Sequence, residues 1–171
     1  MRILDISMPI TENMNVYKDN AAKRPVITLA SDFSTGSTHE TKIEMNVHTG
    51  THIDMPLHIL ENGKTIENMD LEKVLTKCKV FDFTHVEEKI SVEHLSGKSI
   101  SEGDFILLKT KNSLVQNPGK NFIYLDKSGA KYLADKKVCG VGIDSLGIER
   151  NQPGHETHKI LLSSEIVILE G

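Results

Sequence analysis

Eleven consecutive residues, His48-Thr-Gly50-Thr51-His52-Ile-Asp54-Met-Pro56-Leu-His58, hold three of the chain's eight histidines around one aspartate. Neutral imidazole nitrogen and carboxylate oxygen together suit a borderline divalent cation such as Zn²⁺ or Mn²⁺, so the stretch reads as a metal site. The alternative is a surface loop whose histidines each hydrogen-bond locally. Gathering four donor side chains, a Gly and a Pro into so short a span disfavours it.

The spacing limits how one ion is reached. His48 and His52 are four apart, which on a helix places both on one face, as in HExxH zinc enzymes. Gly50, the β-branched Thr49, Thr51 and Ile53, and Pro56 argue against a helix. In a flat strand His48, His52 and Asp54 share a face, but four residues at roughly 3.3 Å each part the two histidines by about 13 Å. Gly50, midway between them, is the residue able to supply a bend or bulge. The stretch is therefore expected at the irregular end of a strand, with Pro56 fixing the exit.

The elements around it follow from pattern. Arg2 to Ile6 reads as a first strand, and Tyr17 falls in the polar loop beyond Met8-Pro-Ile10. From Glu40 the alternation is strict: Thr41, Ile43, Met45 and Val47 on one face, Lys42, Glu44, Asn46 and His48 on the other, as in a half-buried strand. Residues 60–70 read as a loop, with a short helix from Asp70 to Leu75. Strands are expected at 79–83, 105–110, 138–143 and 166–169, with a brief turn at 92–95 that Ser91 caps. Ala130, Leu133 and Ala134 at helical spacing predict a helix over 128–136, and a second is expected over 157–163. Strands alternating with helices give the α/β class.

Composition removes several function classes. The chain has 171 residues, 38% of them hydrophobic and 26% charged, with a net charge of −4. That suffices for one domain with a real core. There is no basic stripe for nucleic acid and, with no Trp and 5% aromatic residues, no stacking platform. The N-terminus lacks a signal-peptide pattern and no apolar run is long enough to span a membrane, so a cytoplasmic location is expected. Cys78 and Cys139 lie far apart in short apolar segments and are expected to be buried free thiols.

Two further residues are candidates for the site. Function in α/β folds collects beyond the carboxyl ends of strands, and here those ends carry Asp144-Ser145 and Glu170. His158 opens the helix before the last strand, and a helix followed by a strand returns the chain toward the sheet, so His158 and Glu170 can approach one end. A helix-start histidine is also often a cap, and a carboxylate at a chain end is often solvated.

The histidine stretch resembles the signature of the cyclase-like metal-dependent hydrolases, the family that includes bacterial kynurenine formamidase and isatin hydrolase. Weaker matches follow in order: Asp5-Ile-Ser-x-Pro9, Gly142-Ile-Asp144-Ser145, His158 with Leu161-Leu162, and Ile168-Leu-Glu170-Gly171. The resemblance implies a swivelling β/β/α-type α/β fold, a homodimer and a small-molecule substrate. It implies one or two Zn²⁺ or Mn²⁺ ions: the first on His48, His52 and Asp54, the second bridged by Asp54 to His158 and Glu170. His58 is implied as proton donor and acceptor, and Tyr17, where the family often has Trp, as a substrate contact. Family chains usually continue well beyond the Glu-Gly pair, so the expectation is a single domain over residues 1–171 short of a C-terminal segment.

The chemistry implied is hydrolysis of a non-peptide carbon–nitrogen bond, in an aryl formamide such as N-formylkynurenine or in a cyclic amide. Thr51 and Ser145 are candidate supporting partners. A metallo-β-lactamase type would need H-x-H-x-D-H, whereas the spacing here is H-x₃-H-x-D-x₃-H. Two other readings stay open: a hydrolase of cyclic esters, and a metal-binding module without turnover.

Overall fold

Continuous apolar runs such as Phe105-Ile-Leu-Leu and Val167-Ile-Leu suit strands packed in a layered core. A computed structural model describes residues 5–115 and 119–171. Its elements in chain order are β1 (Val26–Ser31), β2 (Glu40–Glu44), β3 (His52–Asp54), β4 (Cys78–Asp82), β5 (Lys89–Ile90), α1 (Val92–Leu95), β6 (Phe105–Lys109), β7 (Tyr124–Leu125), α2 (Lys127–Asp135), β8 (Gly140–Ile143), α3 (Glu156–Ser163) and β9 (Val167–Glu170). Five of them form a mixed sheet in the order β3-β9-β8-β6-β4. β4, β6, β8 and β9 run parallel, and β3 joins the edge antiparallel to β9.

One face of the sheet carries the core. Ile106, Leu108, Val141, Ile143 and Ile168 are buried and join Leu133 of α2 and Leu161 and Leu162 of α3 in one cluster. Fully burying each such side chain contributes about 1.5–3 kcal/mol. On the other face Leu107 and Leu169 are only partly covered. The glycines of β8 allow the close packing their spacing suggests: a Cβ at Gly140 would lie 2.2 Å from the Phe105 ring. α2 begins where Asp126 caps it, accepting from Ser128 N at 2.8 Å and Gly129 N at 3.0 Å. α3 is tied down at its start by Thr157, whose hydroxyl donates to the Leu125 carbonyl at 2.9 Å.

Two expectations are corrected, and a third falls largely outside the described residues. The alternating segment from Glu40 is a strand only to Glu44 and is exposed throughout. It pairs with β1 in a two-stranded sheet of its own, so alternation there marks a pleated pair, with no core beneath it among the described residues. Cys78 is exposed and Cys139 half-buried, because the β4 edge carrying Cys78 is not covered; both thiols are free. The strand expected over Arg2 to Ile6 falls mostly outside the described residues, and Asp5 and Ile6 lie in neither helix nor strand. Elsewhere boundaries move by a residue or two. The helix expected from Asp70 is a 3₁₀ turn over Leu71–Lys73, capped by the Asp70 side chain.

Candidate metal centre

Strand register assembles one half of the site. In the β3–β9 pair His52 stands opposite Glu170 and Asp54 opposite Ile168. Directly opposed residues point to the same face, so His52, Asp54 and Glu170 share the core side of the sheet edge. α3 crosses that side, and its buried face presents His158, Leu161 and Leu162, the i, i+3, i+4 stripe of an amphipathic helix. Packing the two leucines into the core thus carries His158 to the carboxylates.

The bend before β3 supplies the rest. Gly50 has φ +71°, a left-handed conformation that a side chain would strain, and a Cβ there would come within 3.0 Å of Met14 Cε. The turn folds His48 back, and its Nδ1 lies 2.8 Å from Asp54 Oδ1. Pro56 opens a 3₁₀ turn, Pro56–His58. That turn sets the His58 ring against His48, with centroids 3.9 Å apart, and 5.7 Å from His158.

The donor atoms converge as a metal would require. His52 Nε2 is 3.4 Å from Asp54 Oδ1 and 3.5 Å from Glu170 Oε2. His158 Nε2 is 3.3 Å from both Asp54 Oδ2 and Glu170 Oε1. Ligands bonded tetrahedrally at about 2.0–2.1 Å lie about 3.3 Å apart, so these gaps match co-ligand spacing. His52 Nε2 and both Asp54 oxygens are buried without a hydrogen-bond partner among the described residues. Buried polar atoms are normally satisfied, and a cation would satisfy all three. Among the described residues three groups are able to hold an ion: His52, Asp54 and Glu170; His48, Asp54 and His58; and Glu149, His155 and His158. The donor set therefore fits one or two divalent ions.

Orientation is fixed from behind. His52 Nδ1 lies 2.9 Å from the Gly50 carbonyl, which sets its Nδ1–H tautomer and leaves Nε2 facing the carboxylates. Glu170 Oε1 accepts from Ile148 N at 2.6 Å. Behind His158 lies Glu149, buried and 2.8 Å from His158 Nδ1.

The electrostatics are those of a cation-seeking cavity. Burial alone would raise the Asp54 carboxyl, yet the neighbouring imidazoles of His158, His52 and His58 hold it well below the usual carboxylate range. Burial opposes a charge on His158, but Asp54, Glu149 and Glu170 together push its pKa up to about 11. The same contest, with Asp54, the Gly50 carbonyl and Glu170 against burial, raises His52. His58 goes the other way: burial lowers it and His48 and His158 add to that, outweighing Asp54 and Glu170. Of His52, His58 and His158 it is the one whose shift favours the neutral form.

Tyr17, in a 3₁₀ turn, has its ring 6.2 Å from that of Phe122. Burial raises its phenol pKa, and the charge of Glu170 adds to the rise. A cavity of about 510 Å³ opens beside it, lined by Lys18, Lys120, Phe122, Arg150 and His155 among others. The other residues singled out are used structurally. Thr51 Oγ1 accepts from Met8 N, the Ser145 hydroxyl donates to the Gly147 carbonyl, and Asp144 accepts from the Thr110 backbone and hydroxyl. Glu149 escaped the sequence reading because it is a lone carboxylate in a loop with no ligand-like spacing.

Comparison with known proteins bears on this geometry. The Cyclase family model matches residues 4–150. The kynurenine formamidase of Bacillus cereus (strain ATCC 10987 / NRS 248) is 25% identical over 169 residues, covering 98% of this chain and 80% of that protein. A structure described as that of a potential metal-dependent hydrolase with cyclase activity superposes with a TM-score of 0.90 at 46% identity, covering 98% of this chain and 80% of its own. Isatin hydrolase A from Labrenzia aggregata has the same fold, with a TM-score of 0.84 at 19% identity over 99% of this chain and 79% of its own.

Proposed function

The chain belongs to the Cyclase family, and on that premise we propose that it is a metal-dependent hydrolase of a non-peptide carbon–nitrogen bond, in an aryl formamide such as N-formylkynurenine or in a cyclic amide. The observation that carries this reading is the convergence of His52 Nε2, His158 Nε2, Asp54 and Glu170 at co-ligand distances, with three of the atoms buried and otherwise unpartnered. His48, His52 and Asp54 would hold the first ion, and Asp54, His158 and Glu170 a second, as Zn²⁺ or Mn²⁺. When bound, such an ion supplies Lewis acidity toward the substrate carbonyl and lowers the pKa of water from about 15.7 toward 7.

The chain's own groups do the rest. His58, whose pKa is lowered by partial burial and by two neighbouring histidines, takes a proton on its imidazole from the attacking water. It returns that proton to the leaving nitrogen. Tyr17 and Phe122 wall the space for an aryl group, and Lys18, Lys120 and Arg150 around the same cavity favour a substrate that also carries a negative group. The protein acts as one domain, as a homodimer and in the cytoplasm; no helix among the described residues is long and apolar enough to cross a membrane.

The test is to load purified protein with Zn²⁺ or Mn²⁺ and assay it against N-formylkynurenine, isatin and a simple lactone. Turnover of either nitrogen substrate, abolished by chelation and restored by the ion, is expected. Metal uptake with no turnover of any of them would leave a binding module, and turnover of the lactone alone a cyclic-ester hydrolase.

A further inference from the structure

Two histidines of the centre present Nε2 to the carboxylates, and for Nε2 to give its lone pair to an ion held between them each must carry its proton on Nδ1. For His52 the acceptor that ensures this is a neutral backbone carbonyl, that of Gly50. For His158 the group facing Nδ1 is an anion, Glu149, whose Oε1 lies 2.8 Å away as an ion-pair contact that falls outside hydrogen-bond alignment.

The surroundings of Glu149 hold it in that task. Its Oε1 also lies 3.0 Å from His155 Nδ1. Its Oε2 accepts from Thr157 N at 2.8 Å and from Gln152 Nε2 at 2.7 Å. Three hydrogen-bonding groups and the His158 imidazole thus crowd the roughly four lone-pair sites of one carboxylate. Glu149, His155 and His158 lie close enough to hold an ion themselves, but with Thr157 N and Gln152 Nε2 both on Oε2 the carboxylate is better placed to orient a ligand than to be one. Its anchors sit at the start of α3, so the carboxylate, the helix and His158 move as a unit.

We infer that Glu149 is a positioning residue for the second ion, fixing the tautomer and the aim of His158 so that Nε2 meets Asp54 and Glu170. The inference rests on the proposed metal reading. A carboxylate behind a ligating imidazole also makes the ring a stronger donor, and its loss typically lowers metal affinity about 10- to 100-fold. The first ion, held by His48, His52 and Asp54, does not share this support. Glu149 therefore separates the two ions energetically, although Asp54 serves both.

The experiment is competitive titration of the full-length protein with Zn²⁺ against a chromophoric chelator, comparing wild type, Glu149→Gln and Gln152→Ala. Wild type is expected to take two ions. In Glu149→Gln the weaker affinity should fall about 10- to 100-fold while the tighter one stays within twofold, and Gln152→Ala, which removes one anchor and leaves the carboxylate, should lose less. Unchanged affinities in Glu149→Gln, or an equal loss in Gln152→Ala, would overturn the assignment. Should Glu149→Gln fail to fold, ring ¹⁵N NMR of zinc-loaded wild type decides instead: His158 must show the Nδ1–H tautomer, and an Nε2–H ring refutes the role. A wild type that takes up no ion sinks the metal reading itself, an outcome distinct from two ions with an indifferent Glu149.

Discussion

Asp54 is the residue on which the site turns. Its Oδ1 faces His48 and His52 while its Oδ2 faces His158, so one fully buried carboxylate addresses two groups of donors. The neighbouring imidazoles keep it ionised against the cost of burial. His58 differs in kind: it stacks on His48 with no hydrogen-bond acceptor among the described residues, and partial burial lowers its pKa. The two roles part under mutation. His52→Ala should lose bound metal, read by elemental analysis of the purified protein. His58→Ala should retain the metal and lose about 10²- to 10⁴-fold in kcat. A His58→Ala enzyme turning over formamide at the wild-type rate would remove that residue from the mechanism.

At the scale of elements, the centre depends on a strand edge and a helix meeting in one register. A one-residue slip of β3 against β9 would turn His52 and Asp54 to the opposite face. α3 is located by its leucines and by Thr157, and β7, which receives the Thr157 bond, runs directly into the cap of α2. Asp126 is thus a testable hinge of stability. Replacing it with Ala should cost about 1 kcal/mol by urea denaturation, the usual loss for an N-cap. Burial would raise the Asp126 carboxyl, but its bonds from Ser128 and Gly129 outweigh that and lower it. A carboxylate depressed in the folded state contributes stability above its unfolded pKa and loses it as pH falls through the folded value. The gap between wild type and Asp126→Ala should therefore be full at pH 6 and close as pH drops below about 3.8. A gap that persisted unchanged at pH 2.5 would mean that the cap is not the source.

For the molecule as a whole, the centre gathers Asp54, Glu149 and Glu170 in a buried space, and a cation there binds only the folded chain. Ions present at about 100 times their Kd would add about 2.7 kcal/mol. For a chain of this size, chelation should then lower Tm by roughly 5–10 °C, and scanning calorimetry with and without EDTA measures it. An EDTA-insensitive Tm in a protein shown to carry metal would contradict this coupling. The amino-acid sequence by itself determined the metal-binding chemistry, the bend at Gly50, the α/β class and most core strands and helices. These are local matters: donor identity, φ preference and apolar period are written within a few residues of where they act. Only the tertiary structure decided that His52 faces Glu170, that Glu149 stands behind His158, and that the alternating β2 strand has no core beneath it among the described residues. Register, helix placement and the covering of a face depend on partners far along the chain, and periodicity states which face of a strand is apolar without stating what will lie against it.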